Sequence, residues 1–160
     1  MKVVRAGVIA LLFAVLLSAA DRLTYPVIAD NKTAYASRQI AMMVDGRDFL
    51  ATDSGYEVFE SDQLFGFVEA TTTRRGYNGD IHLLVAYDLS ARVLAVRVTE
   101  HRETPGLGDA IDSAWIDTFR GRQADGTDWE LAPEGDFDGI TGATITSRAI
   151  ITAVAEVVHP

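Results

Sequence analysis

The chain has 160 residues, of which 48% are hydrophobic, and a formal net charge of −9, so it suits one folded domain with a buried core rather than a disordered tail. The acidic balance disfavours binding to nucleic acid or to an anionic membrane surface. The absence of cysteine excludes disulfides, iron–sulfur clusters and thiolate metal sites, and the three histidines are too scattered along the chain to predict a zinc site.

The chain begins with a basic start and an apolar run. Lys2 and Arg5 precede an uncharged stretch, residues 6–20, and charge returns at Asp21. As a helix this stretch would span about 22 Å, which is short for a bilayer core unless flanking residues extend it. The small residues at 18–20 equally suit a cleavable secretory signal, so the residues leave an uncleaved anchor and a signal peptide both open. Either one exports the remainder, because the positive-inside rule keeps Lys2 and Arg5 in the cytoplasm.

Helix formers at residues 35–44 predict a helical connector over residues 23–64. From residue 65 the pattern becomes β-branched and alternating, which predicts an antiparallel meander of about three strands over residues 67–73, 81–87 and 93–99. In the third strand, Leu94, Val96 and Val98 are expected to share one buried face.

Two helices complete the predicted domain. Trp115 and Phe119 lie four residues apart and predict a short helix over residues 113–120. The apolar residues of segment 143–158 follow the 3.6-residue period of a final helix. The predicted fold class is therefore α+β, a small antiparallel sheet packed by helices.

The segment DGITGATITS, residues 138–147, stands at the start of that final helix. A helix amino terminus has unpaired N–H groups and the positive end of the dipole, which suit a phosphate or a carboxylate. Gly142 would let the backbone approach a bound group, while Thr141, Thr144 and Thr146 offer hydroxyls. The same residue types also cap ordinary helices, so composition alone leaves a helix cap and a binding site open.

The segment ETPGLG, residues 103–108, is the second candidate. Its proline fixes one dihedral and its glycines permit unusual backbone shapes, so the loop can lie flat against a planar ligand with Leu107 over the ligand face. Glu103 and Thr104 could then bond the polar edge of that ligand. A tight loop leaving a strand would contain the same residues, and the segment is not a dinucleotide fingerprint.

Taken together, HRETPGLGD, WIDTF and DGITGATITS resemble the FMN-binding domain shared by the G subunit of the Rnf electron transport complex and the C subunit of the sodium-pumping NADH:quinone reductase. The resemblance covers nearly the whole chain in the family's order, including the basic start, one membrane segment and the strand GYNGDIHLLVAYD. Chain length and the sequence ETPGLGD favour the G subunit of the Rnf complex over the C subunit of the quinone reductase.

The resemblance implies a covalent FMN site. The family's motif runs Asp, a small residue, any residue, Ser or Thr, Gly, Ala, Thr, and its last threonine holds FMN through a phosphoester bond that a separate flavin transferase installs. Matched residue by residue, the motif makes Thr144 the attachment residue and includes Asp138, Gly139, Thr141, Gly142 and Ala143. The ETPGLG segment is implied to border the isoalloxazine ring through Glu103, Thr104, Leu107 and Gly108.

The resemblance also implies a role and a location. The chain is expected to be a flavoprotein subunit of an ion-motive complex in the bacterial inner membrane, to relay single electrons, and to turn over no substrate alone. Its expected partners are the other membrane subunits and the flavin transferase. The expected organisation is a transmembrane anchor at residues 1–22 with a cytoplasmic N-terminus, a helical connector at 23–64, and a periplasmic FMN-binding domain at 65–160. The alternative is an exported module that binds flavin or another planar ligand, or a redox sensor, outside any pump.

Overall fold

The computed structural model describes residues 2–104, 111 and 114–159. The chain divides into two compact units, Met1–Gln39 and Ile40–Pro160. Helix α1 extends over Lys2–Met43 and includes the segment predicted to be a membrane anchor. Among the described residues no helix is both long enough and apolar enough to cross a bilayer, so the predicted transmembrane helix is not confirmed.

The second unit contains a five-stranded antiparallel sheet in which each strand pairs with the next along the chain. Its strands are β1 Asp48–Ala51, β2 Gly55–Glu60, β3 Gln63–Thr73, β4 Ile81–Asp88 and β5 Val93–His101. A 3-10 helix, Ile116–Phe119, and helix α2, Thr144–Val158, follow the sheet. The predicted α+β fold with a small antiparallel sheet is confirmed, and β3, β4 and β5 are the three predicted strands.

The prediction of a helical connector over residues 23–64 is wrong after Met43. Asp45 and Gly46 adopt φ of 52° and 75°, and the Gly46 N–H donates to the carbonyl of Ala41 at 2.8 Å, a geometry that ends helices. Strands β1 and β2 follow, with Phe49 opposite Val58. Their pairing is sustained by β3 on the far side of β2, a contact that local helix-former content does not reveal.

Both faces of the sheet are covered. On one face, Ile81, Leu83 and Val85 of β4 belong to the same buried cluster as Ile150 and Val154 of α2. On the other face, the buried residues are Ile40, Met43, Val44, Val58, Val68 and Ala86. Each fully buried aliphatic side chain contributes about 1.5–3 kcal/mol relative to exposure. This burial holds α2 against the sheet and thereby fixes where its amino end lies.

The predicted buried face of β5 is only partly correct. The register between β4 and β5 shifts between Ala86 and Tyr87. Val96 and Val98 pack with the cluster that contains α2, as expected, whereas Leu94 packs against the opposite cluster. An irregularity of this kind places neighbouring residues of a strand on faces that strict alternation does not predict.

Candidate functional site

The amino end of α2 is open to solvent and has no side-chain cap. Thr144 is the first helical residue and is exposed, while Ala143 occupies the cap position with φ −125° and ψ 35°. From Thr144 onward, the first amide with a backbone acceptor in the described chain is that of Ser147, which donates to the carbonyl of Ala143 at 2.8 Å. The three preceding amides are available to a ligand, and with the helix dipole they favour an anion. Among the described residues, no threonine or serine hydroxyl caps this helix.

A tight turn of residues 140–143 directly precedes Thr144. The Ala143 N–H donates to the Ile140 carbonyl at 2.9 Å, and Gly142 adopts φ +82°, a conformation that favours glycine. The buried Ser147 side chain closes the turn from the inside: its Oγ accepts from the Ile140 N–H at 3.1 Å and donates to the Ala143 carbonyl at 3.0 Å. The turn that precedes Thr144 is therefore held by the hydroxyl of Ser147, which lies in the first turn of α2.

A buried carboxylate joins three segments beside this helix end. Glu103 is 6% exposed, and its Oε2 accepts from the hydroxyl of Thr146, itself 1% exposed, at 2.9 Å. Its Oε1 accepts from the backbone N–H of Asn78 at 3.2 Å, and the side-chain amide of Asn78 donates to Thr104 Oγ1 at 2.9 Å. A Cβ added to Gly76 would lie 2.7 Å from Glu103 Oε1, so only glycine fits there without displacement. Glu103 thus connects the turn after β3, the residues after β5 and the start of α2.

An open cavity of about 510 Å³ lies at this junction. Its volume is within the range of small-molecule and cofactor sites. The lining residues are Tyr77, Thr104, Gly142, Ala143, Thr144, Ile145 and Thr146. Tyr77 and Ile145 are 64% and 55% exposed, so two large apolar side chains stand in solvent next to the polar helix end. The cavity therefore offers an apolar surface for a flat ring system and an anion-binding end for a phosphate.

The structure brings together four of the predicted site residues and separates the others. The cavity is lined by Thr104, Gly142, Ala143 and Thr144. Glu103 accepts a hydrogen bond from the lining residue Thr146 but is not itself a lining residue, so its predicted contact with a ring stays a prediction.

The remaining predicted residues do not line the cavity or are not described. Thr141 and Asp138 are exposed. The carbonyl of Asp138 accepts from the indole Nε1 of Trp115 at 2.6 Å, which ties the start of the motif to the segment that precedes the 3-10 helix. Leu107 and Gly108 lie outside the described residues.

Sequence reasoning did not assign a role to several residues at this site. The sequence places Tyr77 only within the segment GYNGDIHLLVAYD, and it assigns neither Ile145 nor Ser147 to the site. Thr146 was noted only as a hydroxyl. The helical period was a usable signal for Thr146, because it lies three and four residues before the buried Ala149 and Ile150 and must share their inward face.

Comparison with known proteins identifies the domain. The FMN-binding domain family matches residues 76–159, a range that includes β4, β5, α2 and the cavity. The chain is similar to the G subunit of the ion-translocating oxidoreductase complex of Escherichia coli strain K12, with 46% identity over 106 residues, or 62% of this chain and 52% of that protein. The G subunit of Shewanella loihica is 36% identical over 143 residues, or 83% of this chain and 68% of that protein.

The same likeness extends to Salmonella typhimurium, whose G subunit is 50% identical over 94 residues, covering 54% of this chain and 45% of that protein. The chain thus spans about half the length of most of these relatives. The predicted resemblance to an FMN-binding domain and to the G subunit of the Rnf complex is confirmed.

Proposed function

Because the chain belongs to the FMN-binding domain family, we propose that it is the flavoprotein subunit of an Rnf-type ion-translocating oxidoreductase complex. It relays single electrons through FMN joined to Thr144 by a phosphoester bond, and it turns over no substrate alone. The main supporting observation is the exposed Thr144, with no hydrogen-bond partner for its hydroxyl among the described residues, at the wall of the cavity.

The residues around Thr144 suit the two ends of FMN. A phosphate on the Thr144 oxygen would lie beside the amides of residues 144–146, which lack backbone acceptors in the described chain and carry the positive end of the helix dipole. Tyr77 and Ile145 offer apolar surface to the ring system, and Thr104 offers a hydroxyl to its polar edge. We assign Glu103, Leu107 and Gly108 to the border of the ring on the family motif.

Attachment requires a donor and an enzyme. The Thr144 oxygen forms a bond to the phosphorus of the FMN half of flavin adenine dinucleotide, the hydroxyl loses its proton, and AMP leaves. A separate flavin transferase catalyses this exchange, and the chain gains the mass of FMN minus water. Since the bond is made through the phosphate, the ring is not modified and the cofactor is not lost by dissociation.

Bound FMN supplies one-electron transfer chemistry, and the protein determines the position and surroundings of the ring. Thr144 fixes the phosphate end. Glu103 holds the cavity walls together through Thr146 and Asn78. The acidic protein surface disfavours an anionic reduced flavin, although exposed charges are screened beyond about 8 Å at physiological salt.

We further propose that residues 1–22 anchor the chain in the bacterial inner membrane, with the N-terminus in the cytoplasm and the FMN-binding domain in the periplasm. Lys2 and Arg5 before the uncharged residues 6–20 support this orientation. The natural chain has no cysteine, so an Asp53→Cys variant carries one exposed thiol in the proposed periplasmic part. A membrane-impermeant maleimide should label it in intact cells, and protection until the cells are lysed would contradict the orientation.

The attachment is tested by intact mass and in-gel flavin fluorescence of the full chain co-expressed with a flavin transferase. We expect a mass gain of FMN minus water, fluorescence that survives denaturation, and loss of both in Thr144→Val. Thr152→Val removes another hydroxyl of α2, one that bonds only to the Arg148 carbonyl, and should keep the flavin.

The contrary outcomes distinguish the alternatives. Flavin retained covalently in Thr144→Val would place the bond on another residue. An unmodified wild-type chain that releases flavin on denaturation would identify an exported binding module or redox sensor. Isolation of the flavinylated chain with multi-span membrane subunits would support a role in an ion-translocating complex.

A further inference from the structure

We propose that Ser147 is a positioning residue for flavin attachment: it holds the turn of residues 140–143 in the shape that presents the Thr144 hydroxyl to the flavin transferase. The inference rests on the proposed attachment at Thr144. Ser147 is completely buried and does not line the cavity, so it acts through the turn and not by contact with the flavin.

The Ser147 hydroxyl is fully engaged by the two ends of the turn. It accepts from the Ile140 N–H and donates to the Ala143 carbonyl, while the Ser147 N–H donates to that same carbonyl. The Ala143 N–H closes the turn on the Ile140 carbonyl. Ser147 Oγ is the only side-chain group that bonds the main chain of residues 140–143 in the described structure.

The turn needs this restraint because of its composition. Gly142 has the widest conformational freedom of any residue type and is held at φ +82°. Asp138, Gly139, Thr141 and Gly142 are exposed, so within the turn only Ile140, which packs against the core cluster, and the buried Ala143 are limited by packing. Without the Ser147 hydroxyl, the Ile140 N–H loses its partner and the turn has other conformations available. Thr144 follows directly after the turn, so its presentation changes with the turn.

The expected effect on the kinetics of flavin attachment follows from the fraction of chains whose turn has the shape that the transferase binds. If the transferase binds the ordered turn, its apparent affinity falls in proportion to the fraction of chains that have that turn. Loss of a hydrogen bond on this scale lowers the ratio of ordered to disordered turns by roughly 5- to 30-fold, which sets the upper limit on the change in apparent affinity. The chemical step on the bound turn is unaltered. Ser147→Ala should therefore raise the KM of the transferase for this chain, by up to roughly 30-fold, and leave kcat within about twofold.

The chain supplies a matched control on the same helix. Thr152 also donates its hydroxyl to the carbonyl four residues earlier, that of Arg148, at 2.9 Å. In the part of the chain that the structure describes, this hydroxyl makes no second hydrogen bond, and Thr152 lies about two helical turns after Thr144. Thr152→Ala therefore removes one back-bonding hydroxyl from α2 without touching the turn, and its KM and kcat should match those of the wild type.

The experiment uses the full chain as acceptor, with purified flavin transferase and flavin adenine dinucleotide, and follows protein-bound flavin over a range of acceptor concentrations. Amide hydrogen exchange of Ile140, measured without flavin, provides a readout independent of attachment and should accelerate in Ser147→Ala but not in Thr152→Ala. Ser147→Cys keeps the side-chain size with a weaker donor and acceptor, so its KM should fall between those of Ser147→Ala and the wild type.

A Ser147→Ala chain with faster Ile140 exchange and a KM equal to that of Thr152→Ala would overturn the inference, because the turn would be loosened without effect on attachment. A fall in kcat with unchanged KM would also overturn it, since the hydroxyl would then act in the chemical step. A wild-type chain that gains no flavin would overturn the proposed function itself, and it is recognised before any variant is compared.

Discussion

The hydrogen bond between Thr146 and Glu103 should stabilise the domain and the cavity wall. Thr146→Val keeps the shape of the side chain but removes the donor 2.9 Å from Glu103 Oε2, and both residues are almost completely buried. Water cannot readily replace the donor there, and hydrogen bonds to charged groups are worth about 1.5–3 kcal/mol. We expect the free energy of unfolding to fall by that amount.

Denaturant unfolding followed by tryptophan fluorescence measures this change. Trp115 and Trp129 are the only two tryptophans of the chain, and both lie in the unit formed by residues 40–160. The denaturant midpoint should fall while the slope of unfolding free energy against denaturant stays unchanged, which indicates a loss of stability without a change in exposed surface. Thr141→Val is the matched control, because Thr141 is exposed, and its unfolding free energy should change by no more than about 0.5 kcal/mol.

A double-mutant cycle with Glu103→Gln separates the charged bond from packing. In the Glu103→Gln background, Thr146→Val should lose no more than about 0.5–1.5 kcal/mol, the value of a neutral hydrogen bond. Equal losses from Thr146→Val and Thr141→Val in the natural background would refute the reasoning, since the buried hydroxyl would then add nothing to stability.

Four further variants, one of them a control, test the surroundings. Burial raises the pKa of Tyr87 above its ordinary value of 10.0, and the hydrogen bond from Tyr87 to the Glu69 carboxylate raises that pKa further. The contribution of Tyr87 to stability is therefore complete below about pH 10 and declines at higher pH. Tyr87→Phe should flatten that decline when the free energy of unfolding is measured with denaturant across this pH range. Gly76→Ala should lower the unfolding free energy by about 1–3 kcal/mol, because its Cβ would lie 2.3 Å from a backbone oxygen of the same turn. Gly139→Ala, with its nearest atom at 3.5 Å, should change the unfolding free energy by less than about 0.5 kcal/mol. Tyr77→Leu should raise the fluorescence yield of the attached flavin by removing an aromatic quencher from the cavity, and an unchanged yield would separate Tyr77 from the ring.

Local patterns were sufficient for part of the fold. The β-branched residues of β3 and the 3.6-residue period of α2 each arise within a few consecutive residues, so the sequence predicted β3, β4 and α2 within a few residues of their observed bounds. Strands β1 and β2 were missed because the residues before them do form a helix and because the strands depend on pairing with β3. Leu94 was placed on the wrong face because the register shift in β5 leaves no local mark in the sequence.

The sequence by itself predicted the chemistry of the site through a short motif: the resemblance implies attachment at Thr144, and Gly142 has the positive φ that glycine permits. Only the tertiary structure decided what surrounds that threonine. Glu103 lies 43 residues before Thr146 and 25 after Asn78, yet it bonds to both. Partners so distant meet because burial of α2 against the sheet overcomes the entropy of closing the intervening loops, and no pattern within a few residues records that balance.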